Sequence, residues 1–188
     1  LLRLLGSSFL LFLLTSQLYS VLSVYATGVV GVGRDTLGLV YSVNGFTIIF
    51  LQMGATQLAD RFRCSQSFRL VAGSLLYLAG YFSLAFCAGG VSLGCAVFVL
   101  TLGELFVQPA LYTQISRLAP PGAVGRSMAA LGLVRGIGFA VGPWIGSIVF
   151  EWFASSPVIL WGILSSFALV AGIGFLTMRA FDAVRKSV

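Results

Sequence analysis

Six long apolar runs, separated by short polar connections, make up most of the 188-residue chain. At about 1.5 Å of rise per residue, each run forms a helix long enough to cross about 30 Å of hydrocarbon. The pattern therefore predicts an all-α membrane protein, a bundle of six transmembrane helices. The predicted spans cover about residues 4–28, 37–59, 70–88, 91–115, 127–150 and 158–178.

The connections between these spans hold few residues, and no Pro- or Ser-rich linker divides the chain. Short connections make consecutive helices antiparallel neighbours. We therefore expect residues 1–188 to form a single six-helix bundle.

Positive charge is concentrated on one side of this predicted bundle. Arg34 is the one cation in the connections of the opposite side, and Arg135 lies inside the fifth span. Because cytoplasmic loops carry the excess of Lys and Arg, both termini are predicted to be cytoplasmic. The nine cations assigned to the cytoplasmic side are Arg3, Arg61, Arg63, Arg69, Arg117, Arg126, Arg179, Arg185 and Lys186.

Composition agrees with a protein that lies almost wholly in the membrane: 59% of residues are hydrophobic, 9% are charged, and the mean hydropathy is +1.04. The formal charge is +6. Because the cations lie at the membrane borders and form no stripe, anionic lipid headgroups are the expected partner, and nucleic acid is not.

The chain has no histidine, which excludes a Ser-His-Asp triad and any metal site that uses histidine. We expect no catalytic residues, no metal and no cofactor, and the protein is not predicted to be an enzyme.

Two ionisable residues, Glu104 and Arg135, lie deep inside predicted spans. A charge there costs at least about 2.5 kcal/mol, so each residue needs a partner or water. Glu104 is twelve residues before Ser116 and Arg135 is nine after Arg126. They lie at similar depths on adjacent helices, about 18 and 14 Å from the cytoplasmic ends, and are candidates for a charge pair.

Protonation of Glu104 has two readings. Burial favours the neutral acid and so a role in proton coupling, whereas a stable ion pair with Arg135 favours the carboxylate. The sequence leaves both readings open.

Polar side chains form a stripe on one face of the fourth span, and the first two spans carry further polar residues. Such faces suit an aqueous pathway, and the alternative is that hydroxyl and amide groups join the helices to one another. The candidate pathway residues are Gln17, Ser20, Asn44, Thr101, Glu104, Gln108 and Tyr112.

The stretch from Thr101 to Gly146 resembles the tenth and eleventh helices of the major facilitator superfamily. The resemblance rests on Gly103-Glu104, Pro109, Ala119-Pro120, Gly125-Arg126, Gly136, Gly142-Pro143 and Gly146. The loop Leu58-Ala59-Asp60-Arg61-Phe62 is similar to the signature loop between the eighth and ninth helices. It departs from that signature at Thr56, Arg63 and Cys64, where two glycines and a base are usual.

This resemblance implies that the chain is the C-terminal half, helices seven to twelve, of a secondary transporter. Such a protein moves a small molecule by alternating access against an N-terminal six-helix half. Proton coupling, and efflux by antiport, are expected, in a bacterial cytoplasmic membrane. The first and fourth spans would line the central cavity, and the third and sixth would lie outermost.

Asp60 and Arg61 are implied to act in gating by contacting helix ends, such as the helix N-terminus near Ser127. The alternative to the whole transporter reading is a complete six-span protein that serves as a dimeric or assembly subunit without transport.

Overall fold

The structure, a computed structural model, describes the backbone of residues 1–185 and the side chains of residues 1–177. The side chains of Arg179 and Arg185 and all of Lys186, which were assigned to the cytoplasmic side, lie outside the described residues. The helices are α1 (Leu2–Ser16), α2 (Val21–Gly28), α3 (Arg34–Arg61), α4 (Gln66–Ser83), α5 (Gly90–Leu118), α6 (Val124–Phe153) and α7 (Pro157–Arg185).

Six helical segments of the described chain are long and apolar enough to cross a membrane, which confirms the all-α, six-span prediction. The first segment consists of α1 and α2 together, and a short 3-10 turn, Leu84–Phe86, extends α4. Ser65 begins α4 by accepting a hydrogen bond from the Phe68 nitrogen at 3.2 Å, which caps the first turn.

The first span is interrupted between α1 and α2. The Gln17 side chain donates to the Leu13 carbonyl at 2.8 Å and so competes with the backbone for an acceptor. Ser20 then leaves helical geometry, with φ −110° and ψ −82°. The Leu18 carbonyl, next to the break, accepts a hydrogen bond from the Tyr41 hydroxyl of α3 at 3.0 Å. Side chains thus satisfy the interrupted backbone, as a membrane interior requires.

Glycines bring α4 and α5 into close contact. A methyl group added at Gly80 would lie 2.5 Å from the Leu100 nitrogen, and one added at Gly103 would lie 2.7 Å from the Gly73 oxygen. Backbones that approach this closely gain dispersion contacts, which favour helix association where lipid supplies no hydrophobic force.

The contact of α1 with α6 follows the same rule. A methyl group added at Gly142 would overlap the Ser16 hydroxyl. One added at Gly146 would overlap the amide oxygen of Gln17. The glycine spacing of the fifth span therefore accommodates the polar side chains at the end of α1.

A buried aromatic cluster joins α2, α4 and α7. The Trp161 ring of α7 lies edge-on to the Tyr25 ring of α2, with centroids 5.3 Å apart. The Tyr81 ring of α4 has its centroid 6.3 Å from that of Trp161. These rings are among the largest fully buried side chains of the described bundle, so they fix the packing of its outer half.

The least buried spans are α3 and α6: 17% of their most apolar segments is buried, against 67% for the first span. The large exposed side chains of α3 include Leu39, Phe46, Ile49, Phe50 and Met53. The third and sixth spans, α4 and α7, were expected to lie outermost in an assembled transporter, and this stays a prediction.

We predict that Gly80→Ala lowers the free energy of unfolding by about 1–3 kcal/mol, because the new methyl group forces α4 away from α5. Thermal denaturation of the purified protein in detergent measures this change. Gly6→Ala is the matched control, since nothing lies within 4 Å of a methyl group at that position. Equal losses in the two variants would contradict the close crossing.

The positive-inside topology predicts that residues 64 and 155 lie on opposite sides of the membrane. Cys64 is in the connection between α3 and α4, and Ser155 is exposed between α6 and α7. In a background without Cys87 and Cys95, a membrane-impermeant maleimide should label Ser155→Cys in intact cells. In the same background without the Ser155→Cys substitution, the maleimide should label Cys64 only after permeabilisation. Labelling of Cys64 in intact cells would reverse the topology.

Candidate functional site

Glu104 of α5 lies in a hydrogen-bonded cluster with two other predicted pathway residues. Asn44 Nδ2 of α3 donates to Glu104 Oε2 at 3.2 Å and to Thr101 Oγ1 at 2.9 Å. Thr101 is one helical turn from Glu104, so a single amide group reaches both. Within the described chain, Glu104 Oε1 accepts no hydrogen bond, so the carboxylate keeps one oxygen available.

Arg135 of α6 does not form the expected ion pair with Glu104. Its guanidinium carbon lies 5.9 Å from the ring centroid of Phe12 and 5.6 Å from that of Phe139. These are cation–π distances, so the charge is held against aromatic faces of α1 and α6. Among the described side chains, the ion pair that the structure contains joins Asp60 and Arg69, on either side of the connection between α3 and α4.

The two membrane charges nevertheless occupy one region. Asn44, which binds Glu104, lies one helical turn after Tyr41 on α3, and Phe12, which Arg135 contacts, precedes Tyr19 on the first span. Tyr19 lies at the break of the first span, and its ring stacks on Tyr41 with centroids 6.2 Å apart. An exposed aromatic surface therefore adjoins both an acid and a base that do not touch each other.

Gln17 and Ser20 lie at the break, and the structure gives them different surroundings. Gln17 is fully buried and donates to the Gly142 carbonyl of α6 at 2.8 Å. Ser20 is half-buried and donates to Gln17 Oε1 at 3.2 Å. In this conformation, Gln17 joins α1 to α6 and reaches no open surface.

Gln108 and Tyr112 continue the polar stripe toward the C-terminal end of α5. Gln108 is half-buried and Tyr112 is exposed. Neither side chain has a hydrogen bond to another described residue, so both remain available to water or a ligand.

The predicted gating residues have a partner that the sequence did not reveal. Asp60 pairs with Arg69 Nη2, and Arg69 Nε donates to the Cys64 carbonyl at 3.2 Å. The Arg69 side chain is 6% exposed, whereas Arg61 lies exposed at the end of α3. Asp60 does not make the expected contact with the helix N-terminus near Ser127. The acid instead pairs with a buried base that follows it across a short loop.

Two functional candidates were missed in the sequence. Arg69 was counted as an ordinary cytoplasmic charge, although its place inside the first turn of an apolar helix was a signal of burial. Tyr19 was not among the predicted pathway residues, because its stacking on Tyr41 depends on the break in the first span.

A separate apolar groove of about 710 Å³ lies between residues 36–43 of α3 and 90–99 of α5. It is lined by none of the predicted pathway residues. We therefore place the candidate site at Glu104, where polar side chains of α3 and α5 meet.

Comparison with known proteins agrees with the fold. The sequence model of the Major Facilitator Superfamily matches residues 1–143. YqjV of Bacillus subtilis (strain 168), described as an uncharacterized MFS-type transporter, is 27% identical over 150 residues, which are 78% of this chain and 35% of the relative. YttB of the same strain, with the same description, is 24% identical over 131 residues, which are 70% of this chain and 33% of the relative. The chain thus spans about a third of the length of these relatives.

The crystal structure of the peptide transporter POT in complex with sulfate superposes on this structure with a TM-score of 0.81. The match covers 95% of this chain and 37% of the transporter, at 17% sequence identity, so it shows the fold alone. The described helices accordingly have the arrangement of half a transporter of this fold. Since the family model also matches most of the sequence, the chain belongs to the Major Facilitator Superfamily.

Proposed function

We propose that this chain is the C-terminal six-helix half of a secondary transporter that moves a small molecule by alternating access. The observation that carries the proposal is the Glu104 carboxylate inside a span, hydrogen-bonded across two helices and not ion-paired. Such a group in a membrane marks a substrate or proton pathway. In this proposal the missing N-terminal half covers the exposed sides of α3 and α6.

Glu104 is proposed as the proton-coupling residue. Protonation weakens the carboxylate as an acceptor for Asn44, so gain and loss of a proton alter the contact between α3 and α5. The titratable groups that interact electrostatically with Glu104 are Arg135, Tyr19, Tyr77 and Tyr81. Arg135 is the one among them that carries a charge at neutral pH, so it sets the local field.

The proposal of efflux by antiport rests on competition between a proton and the substrate for the Glu104 carboxylate. If a cationic group of the substrate and a proton both require Glu104, each displaces the other, and inward proton flow drives outward substrate flow. Ser20, Gln108 and Tyr112 would line the route, whereas Asn44, which also donates to Thr101, holds the carboxylate. Gln17 would act at the break in the first span, where its side chain bonds α1 to α6.

We also propose that the cytoplasmic connection between α3 and α4 acts as a gate. Asp60 reaches Arg69 across this connection, so the pair holds the end of α3 against the start of α4. Arg61 is exposed beside the pair and is proposed to contact the partner half or anionic headgroups in one state.

Proton coupling predicts that the accessibility of the route depends on pH through Glu104. In the full-length protein, a single cysteine at Gln108→Cys should react with a water-soluble maleimide at a rate that changes with pH. The rate is divided by that of Ser116→Cys, at the exposed end of the same helix, to remove the titration of the thiol itself. In Glu104→Gln the normalised rate should not change with pH, because the population shift needs the proton.

Glu151→Gln is the matched control, because this acid is exposed at the outer end of α6. It should keep the pH dependence of the wild type. A Glu104→Gln variant that retains the full pH dependence would contradict proton coupling at this residue.

The gate predicts that Asp60→Asn lowers the free energy of unfolding by about 1–3 kcal/mol, because the buried Arg69 guanidinium loses its anionic partner. It should also change the maleimide rate at Gln108→Cys. Arg63→Gln, an exposed change in the same connection, should alter stability by less than about 0.5 kcal/mol. Unchanged accessibility in Asp60→Asn would overturn the gate.

A further inference from the structure

Glu104 and Arg135 are opposite charges that share one region of the bundle without pairing. The acid is bound by Asn44 of α3, and the base lies against the rings of Phe12 and Phe139. Each charge therefore has a local support that keeps it in place. The supports are on different helices, and this holds the two charged groups apart.

Both groups have unused hydrogen-bonding capacity. Glu104 Oε1 accepts no hydrogen bond from the described residues. A guanidinium offers five N–H donors, and those of Arg135 make no hydrogen bond within the described chain. Because charges inside a span are costly without partners, two such groups that do not neutralise each other favour a ligand that neutralises both.

The surface next to these charges is aromatic. Tyr19 is 59% exposed, and its ring stacks on Tyr41, which lies one helical turn before Asn44, the partner of Glu104. An apolar or aromatic ligand body would pack on this surface, while its charged ends meet the acid and the base.

We propose that the transported ligand is a zwitterion with an aromatic or apolar body, whose ammonium group binds Glu104 and whose carboxylate binds Arg135. This inference rests on the proposed function and adds the substrate class. A guanidinium suits a carboxylate because its parallel N–H groups bind both oxygens. The ammonium group binds the free oxygen of Glu104, so the proton and the ligand compete for the same carboxylate.

The test uses the purified full-length protein and two probes, L-phenylalanine and L-phenylalanyl-L-alanine. Each probe is compared with its N-acetyl form, which lacks the cation, and with its C-terminal amide, which lacks the anion. Isothermal titration calorimetry should show binding of at least one zwitterionic probe. Blocking either end of that probe should weaken the dissociation constant about tenfold or more, since a hydrogen-bonded charge is lost.

The variants assign each end of the ligand to a side chain. Glu104→Gln should weaken the zwitterion about tenfold and leave the N-acetyl form unchanged, because that form has no cation to lose. Arg135→Gln should weaken the zwitterion and leave the amide unchanged, and Arg135→Lys should restore part of the affinity. Glu151→Gln and Arg126→Gln, at the two ends of α6, should bind all probes as the wild type does.

The proposal is overturned if neither zwitterion binds, if the blocked forms bind equally well, or if Arg135→Gln has no effect on the zwitterion. These outcomes are separate from failure of the proposed function, because the pH-dependent accessibility of Gln108→Cys needs no ligand. A protein that retains this pH dependence but discriminates no charged end would be a proton-coupled carrier of another class of molecule.

Discussion

The structure depends on one constraint of the membrane interior, where a polar group without a partner costs several kcal/mol. The break in the first span meets this constraint through the Gln17 amide and the Tyr41 hydroxyl, which bond to the carbonyls beside it. Glu104 meets it through Asn44, and Arg135 through aromatic faces. Each of these exceptions to regular apolar helix is therefore matched by a side chain of its own helix or of a neighbouring one.

The sequence predicted the number and placement of the spans because hydropathy and length suffice for a membrane helix. It also predicted polar faces on the first, second and fourth spans. It did not predict that Asn44 would reach both Thr101 and Glu104, because such distances depend on how closely the helices pack. The Glu104–Arg135 pair was expected from equal depth alone, and depth says nothing about rotation around each helix axis.

The interruption of the first span was likewise not predicted, because it contains neither proline nor glycine at residues 17–20. The Gln17 side chain competes locally for the Leu13 carbonyl, but the contacts to Gly142 and from Tyr41 that complete the break involve other helices. The role of Arg69 differs, since an arginine within the first turn of an apolar helix, following an acid across a short loop, carries a recognisable signal. The sequence thus carried a local signal at Arg69, whereas the geometry between helices was not predictable.

The contacts of α5 suggest why a proton or ligand at Glu104 would have a mechanical effect. Toward α4, the backbones meet directly through Gly80 and Gly103, a contact that cannot change without separating the helices. Toward α3, the middle of the helix is joined by side-chain hydrogen bonds, from Asn44 to Glu104 and from Gln52 to the Leu105 carbonyl at 3.2 Å.

At its outer end, α3 again packs closely on α5, where a methyl group at Gly90 would overlap Thr36. A change of charge at Glu104 therefore acts on the adaptable part of the α3–α5 contact, while the glycine contacts stay fixed. Because α3 continues from this part directly to Asp60, the proposed transporter would carry a small displacement at the membrane centre to the connection between α3 and α4. Alternating access in the proposed transporter requires such a link, from the charge at Glu104 through α3 to the gate at Asp60.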